Sequence, residues 1–244
     1  MHRYFLLILL LCNVIVASAE NNGRKQANKS SAVIIHYQGY SVSYNPDLLI
    51  PNWVSYELLA DETDGPFTRK GKYFRQDSST KVKQADNEDY KRSGWSRGHM
   101  APAGDFKWND EAMWETFYYT NCCPQDESLN SGLWNSLEMK VRGWAKKFGS
   151  IKIITGPIVG SNKNGTIGAN RVVIPDAFFK ALLVDDQAIA VVMLNNDSND
   201  SIKNCVMTID QLEEIIGMDI FSEVKDKIEK KIEATYSASF WGLK

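Results

Sequence analysis

Gly94-Trp95-Ser96-Arg97-Gly98-His99-Met100-Ala101-Pro102 is the stretch on which the reading of this chain turns, and Leu129-Asn130-Ser131-Gly132-Leu133-Trp134-Asn135-Ser136-Leu137-Glu138 completes it. In the first segment a histidine follows a glycine, which lets backbone come close, and precedes Pro102, which stiffens the exit. A neutral imidazole that titrates near neutrality suits a base acting on water. The chain has three histidines. His2 falls in an N-terminal apolar segment and His36 in a predicted β-hairpin, where a structural role is the better reading. His99 is left as the candidate.

The second segment opens a predicted helix. Leu133, Leu137, Val141, Trp144, Ala145 and Phe148 recur at three- and four-residue steps from Leu129 to Phe148, and Gly149 closes the run. From Asn130, steps of four reach Trp134, Glu138 and Arg142, one slowly drifting stripe on a helix. Two readings fit that stripe. An amide oxygen, a carboxylate and a guanidinium suit magnesium, its water and a phosphate. Equally, Asn130 is a helix cap and Glu138–Arg142 a surface ion pair.

Outward from these segments the pattern is mostly strands. Val33 to Tyr37 and Tyr40 to Tyr44 flank Gln38-Gly39 as a hairpin, and Trp53 to Leu59 follows as a strand. Asp61 to Asp89 is polar, basic and rich in breakers, a long surface loop of the kind that is functional or disordered. Ile151 to Gly156, Arg171 to Ile174, Phe178 to Val184 and Ala188 to Leu194 extend the sheet, the last two joined at Asp185-Asp186-Gln187. Thr208-Ile209-Asp210-Gln211 is a capping box for a helix ending at Gly217, and Ser222 to Ala234 is a charged amphipathic helix. Without regular βαβ alternation, this is an α+β fold with a largely antiparallel central sheet flanked by helices.

Residues 1–19 combine a positive start, an apolar run from Tyr4 to Val16, and Ala17-Ser18-Ala19, the pattern of a cleaved signal peptide. A membrane anchor and a lipid attached to Cys12 are the other readings. Residues 20–31 form a polar flexible linker, and 32–244 a single domain. The expectation is a secreted or periplasmic, extracytoplasmic protein with no membrane span after removal of the signal. Cys122, Cys123 and Cys205 then remain, which permits one disulfide from Cys205 to Cys122 or Cys123. A formal net charge of -2 argues mildly against a nucleic-acid partner. The distribution argues back. Basic residues gather between Arg69 and Arg97 and again between Lys140 and Lys152, so one face can be positive.

These segments resemble the DNA/RNA non-specific endonuclease family, the ββα-metal His-Asn nucleases. That family carries Asp-Arg-Gly-His, then an Asn and a Glu on a helix. Phe74 to Asp77, Asp89-Tyr90, Ile154 to Pro157, Ile174 to Lys180 and Ile215 to Trp241 resemble family segments as well. The resemblance implies that His99 is the general base, Asn130 the metal ligand and Glu138 the carboxylate holding metal-bound water. Arg97 matches the motif arginine, and Asn121 a residue near the active-site strand. Arg142, Arg75 and Arg69 are candidates for binding phosphate. It implies Mg2+, with Mn2+ substituting, and the phosphate backbone of DNA and RNA as partner. Cleavage leaves 5′-phosphates. A catalytically weak nucleic-acid-binding protein, or a phosphodiesterase acting on another phosphoester, are the alternatives. Ser96 departs from the family pattern, in which an Asp stands there, and brings no negative charge to the metal's surroundings.

Overall fold

The computed structural model describes residues 32–160, 164–196, 200–222, 224 and 226–243, the last of these by backbone alone at 226–229. Expectations that fall on residues 1–31 lie outside the described residues. Strands β1 (Val33–His36), β2 (Ser41–Asn45) and β3 (Ile50–Leu59) open the chain. They pair antiparallel as the alternating apolar residues predict. β4 (Ser96–His99) and β5 (Cys122–Gln125) form a separate two-stranded ribbon. β6 (Ser150–Ile158), β9 (Ala177–Val184), β10 (Gln187–Leu194) and β11 (Val206–Met207) complete a seven-stranded antiparallel sheet in the order β1-β2-β3-β6-β9-β10-β11.

Arg171 to Ile174 does not extend this sheet. Only Val172–Val173 (β8) is a strand, and it pairs with Thr166–Ile167 (β7) in a small ribbon of its own. Arg171 has φ 62° and Gly168 φ 67°, so the chain turns there before it can run on in extended form. The loop from Asp61 to Asp89 is ordered by its own polar groups. Buried Asp77 accepts the Tyr37 hydroxyl at 2.8 Å and the Ser79 hydroxyl at 2.6 Å. Asp86 caps α1 (Asn87–Tyr90) in a reciprocal capping box with Asp89.

Helix α2 (Asp110–Glu115) lies between β4 and β5. After β5 the chain makes a short α3 (Glu127–Leu129), a π turn (Asn130–Trp134) and the long α4 (Asn135–Phe148). Gly149 at φ 94° ends it. Leu137, Val141, Trp144 and Ala145 of α4 pack on the sheet. On the opposite face lies α5 (Ile209–Ile216), capped by Thr208 and Gln211 as predicted and stopped by Gly217 at φ 64°. α6 (Asp226–Ala234) starts later than the sequence suggests. No helix among the described residues is long and apolar enough to cross a membrane.

Among the described residues the cysteines do not bond. Cys122, Cys123 and Cys205 are all free and buried. Cys122 and Cys123 are held within the β4–β5 ribbon, whereas Cys205 immediately precedes β11 at the edge of the large sheet.

Candidate active site

The ribbon and the helix after it bring the sequence candidates into one neighbourhood. His99 ends β4, opposite Cys122. Its ring sits 4.6 Å from Phe74 and 4.9 Å, edge to face, from Phe117. Its Nε2 is out of solvent contact and has no hydrogen-bond partner. Burial, and secondly the positive charge of Arg69, push its pKa down to about 3. The imidazole is therefore neutral across the physiological range, the form a base requires.

Gly98 owes its place to packing on the other side of the strand. A Cβ there would collide with the side chain of Gln125, whose amide atoms are buried without partners. Asn121, expected near the active-site strand, bonds to the backbone around it. Its amide donates to the Ala101 carbonyl at 2.9 Å and the Thr116 carbonyl at 2.8 Å, and accepts from the Ala101 amide at 2.9 Å. Those bonds use both of its amide donors and one of its two acceptor sites. Asn121 thus clasps the backbone just beyond His99, and Met100 is tied to the Asn121 carbonyl at 3.0 Å. Arg97 is likewise committed, to the Asn87 side chain at 2.8 Å and carbonyl at 3.2 Å, with its guanidinium 5.1 Å from the Tyr90 ring centroid.

Asn130 and Glu138 are half-buried, and among the described residues neither side chain makes a hydrogen bond. The Ser131 and Ser136 hydroxyls donate to the Glu127 and Gly132 carbonyls at 2.7 and 3.0 Å, supporting the backbone around the π turn. The Glu138 carboxyl is raised to about 7, by burial first; Lys180 opposes the shift, Asp105 adds to it, and Arg142 and Arg69 oppose it. An amide oxygen and a carboxylate without protein partners suit a hard divalent cation that keeps most of its waters, so these residues fit the expected metal.

The three candidate phosphate arginines separate. Arg69 is exposed, makes no side-chain hydrogen bond among the described residues, lies 5.8 Å from the Phe117 ring, and acts electrostatically on both His99 and Glu138. Arg75 stacks on Trp114 at 4.6 Å and Tyr118 at 5.2 Å. Arg142 is held at 2.8 Å by the buried Asp105 in a part-buried ion pair, and Tyr56 donates to the same carboxylate at 2.8 Å. Its guanidinium fills the space beside Gly104, where a Cβ would lie 2.9 Å from it.

Two partners went unread in the sequence. Lys180 is fully buried in β9, its Nζ without a hydrogen bond, 5.1 Å from the Trp134 ring. Burial lowers its pKa while Glu138 and Asp105 oppose the shift. Its signal was a lone lysine inside the apolar run Ala177 to Val184. Ser96 donates to the carboxylate of Glu127, which stands just past β5. A negative charge is thus present beside the motif, supplied by another element.

The family described as DNA/RNA non-specific endonuclease matches residues 18–227. The chain is 39% identical over 161 residues to the mitochondrial nuclease EXOG of Xenopus laevis, covering 62% of this chain and 45% of that protein. It is 34% identical over 158 residues to human mitochondrial endonuclease G, covering 61% and 53%. The mitochondrial nuclease of Saccharomyces cerevisiae is 31% identical over 215 residues, covering 78% and 65%. The chain thus spans about half the length of the first two relatives and about two thirds of the third. A crystal structure of an EndoG/EndoGI complex superposes with a TM-score of 0.74 at 30% identity, covering 83% of this chain and 89% of that one. These relatives are mitochondrial proteins, which overturns the expected secreted or periplasmic location. A short apolar start with a small-residue pattern describes composition and does not by itself define a destination. With a family match over most of its length and a shared fold, the chain belongs to the DNA/RNA non-specific endonuclease family.

Proposed function

We propose that this protein is a metal-dependent endonuclease that hydrolyses phosphodiester bonds in DNA and RNA. The observation that carries the reading is His99: a neutral imidazole, fixed between two aromatic rings, with an unpartnered Nε2, in the field of an arginine that also reaches Glu138. His99 accepts the proton of the attacking water. A phosphate anion arriving beside the ring favours the imidazolium and so strengthens the base at the moment it acts. Arg69 is the cation placed to meet that phosphate, and Asn121 holds the backbone beyond His99 in position. Arg142 and Arg97 act through the structure they brace. Asn130 would hold a magnesium ion, and Glu138 would orient its hydration shell. When bound, the ion stabilises negative charge developing on the phosphate and the leaving oxygen. Contacts to phosphate rather than to base edges explain tolerance of both sugars, and cleavage on the leaving 3′ side gives 5′-phosphate products.

One gel tests this. Plasmid DNA and RNA are incubated with magnesium, manganese or chelator, using the unaltered chain and His99→Ala. Both substrates are expected to be cut by the unaltered chain with either metal, and neither in chelator. His99→Ala is expected to lose about 10²- to 10⁴-fold in rate while its melting transition stays cooperative. Near-normal cutting by folded His99→Ala would sink the mechanism. Binding of DNA without fragments in any metal would favour a nucleic-acid-binding protein.

A further inference from the structure

A path of aromatic rings leads outward from His99. Phe117 lies 4.9 Å from it, Trp114 lies 6.4 Å beyond, and Tyr73 lies 5.5 Å beyond that, perpendicular to Trp114 at 86°. The perpendicular contact fixes the Tyr73 ring without covering it, and the residue stays 64% exposed. Cations line the same path. Lys72 and Arg75 lie 4.9 and 4.6 Å from the Trp114 centroid, and Arg69 stands over Phe117. Lys72 is spoken for by Asp110 at 2.6 Å, so it steadies Trp114, while Arg69 remains available to an anion.

A single exposed tyrosine is ordinary. This one is joined to the proposed base by consecutive ring contacts, within a positively charged segment. Rings flanked by cations are how proteins hold unpaired nucleic acid: the bases stack and the charges follow the backbone. We propose that Tyr73, supported by Trp114, is a stacking subsite for an unpaired base near the cleaved phosphate. This deepens the nuclease reading and rests on it. The partner is single-stranded DNA or RNA, because bases in a duplex keep their faces within their own stack. Stacking is blind to base identity, so the subsite favours open strands without imposing sequence.

The full chain, Tyr73→Ala and Tyr73→Phe are compared on a single-stranded oligonucleotide and a duplex of the same sequence, in magnesium. The ratio of kcat/KM for single strand over duplex is expected to fall about tenfold in Tyr73→Ala, through KM, and to recover in Tyr73→Phe. In chelator, quenching of a single-stranded oligonucleotide carrying 2-aminopurine is expected to be lost in Tyr73→Ala and kept in Tyr73→Phe. An unchanged ratio or unchanged quenching overturns the proposal. Tyrosine-dependent quenching by a protein that cuts neither substrate in any metal would instead sink the nuclease reading and leave the subsite standing.

Discussion

Strand β9 turns Phe178, Lys180 and Leu182 toward α4 and Ala177, Phe179, Ala181 and Leu183 toward α5. Both sides are buried, yet they differ in kind. The α5 side is closed mainly by apolar Ile209, Leu212, Ile220 and Phe221, with the Glu233 carboxylate beside Asp210 and Glu213 at its margin. On the α4 side Lys180 Nζ and Trp134 Nε1 are buried without partners, and Asp105 and Arg142 form a charge pair nearby. Polar groups that stay unsatisfied in an interior cost stability. A fold that gathers such groups on the side of the strand that faces Glu138 and packs the other mainly with apolar side chains has divided the strand between chemistry and cohesion.

The division can be broken by paired substitutions. Phe179→Ala, on the cohesive side, is expected to cost about 3–5 kcal/mol in urea unfolding, with turnover per folded molecule within about twofold of the unaltered chain. Arg142→Met is expected to cost a similar 3–5 kcal/mol, because it leaves the Asp105 carboxylate buried without its charge partner, but here turnover falls as well. Equal loss of turnover in both variants, measured where each is fully folded, would erase the distinction.

A smaller effect sharpens it. Lys180 holds the Glu138 carboxyl down against burial. Lys180→Met removes that opposition, so Glu138 stays protonated to a higher pH. The acid limb of the pH–rate profile is expected to move upward by about one unit. A limb that stays in place or moves down would separate Lys180 from Glu138. The smallest effect belongs to neither side. Lys146 and Asp64 pair at 2.7 Å on the surface, both exposed, and Lys146→Ala is expected to change stability by less than about 1 kcal/mol in the same urea assay.

What could be read without coordinates followed from periodicity and from local chemistry. The two-residue alternation of Val33 to Tyr44, the apolar steps of the helix ending at Phe148 and the Thr208 capping box all describe neighbours in sequence, and all appear as elements. Arg171 to Ile174 misled because Val-Val has the same propensity in a private ribbon as in the main sheet. In the site, His99 stood out by residue type and by its neighbours, whereas the stripe of Asn130 and Glu138 fitted two readings until the family resemblance favoured one of them. The partnerships did not. Nothing local says that Arg142 belongs to Asp105, that Asn121 clasps Ala101, or that Lys180 reaches the neighbourhood of Glu138 from a strand far along the chain. Those are tertiary contacts, and they decide which of several arginines is left for a phosphate.

The π turn at Asn130–Trp134 bears on how such sites are searched for. Eight positions separate Asn130 from Glu138. In a regular helix, at about 100° per residue, eight steps overshoot two turns by about 80°, while seven fall short by only about 20°. A π turn accommodates an additional residue per turn, so here eight positions do the service of seven. A chain with one residue fewer and an unbroken helix would set the same two groups on the same line. Distance counted in letters is therefore an elastic ruler for this pair, and a pattern that fixes the count would pass over chains whose geometry is the same.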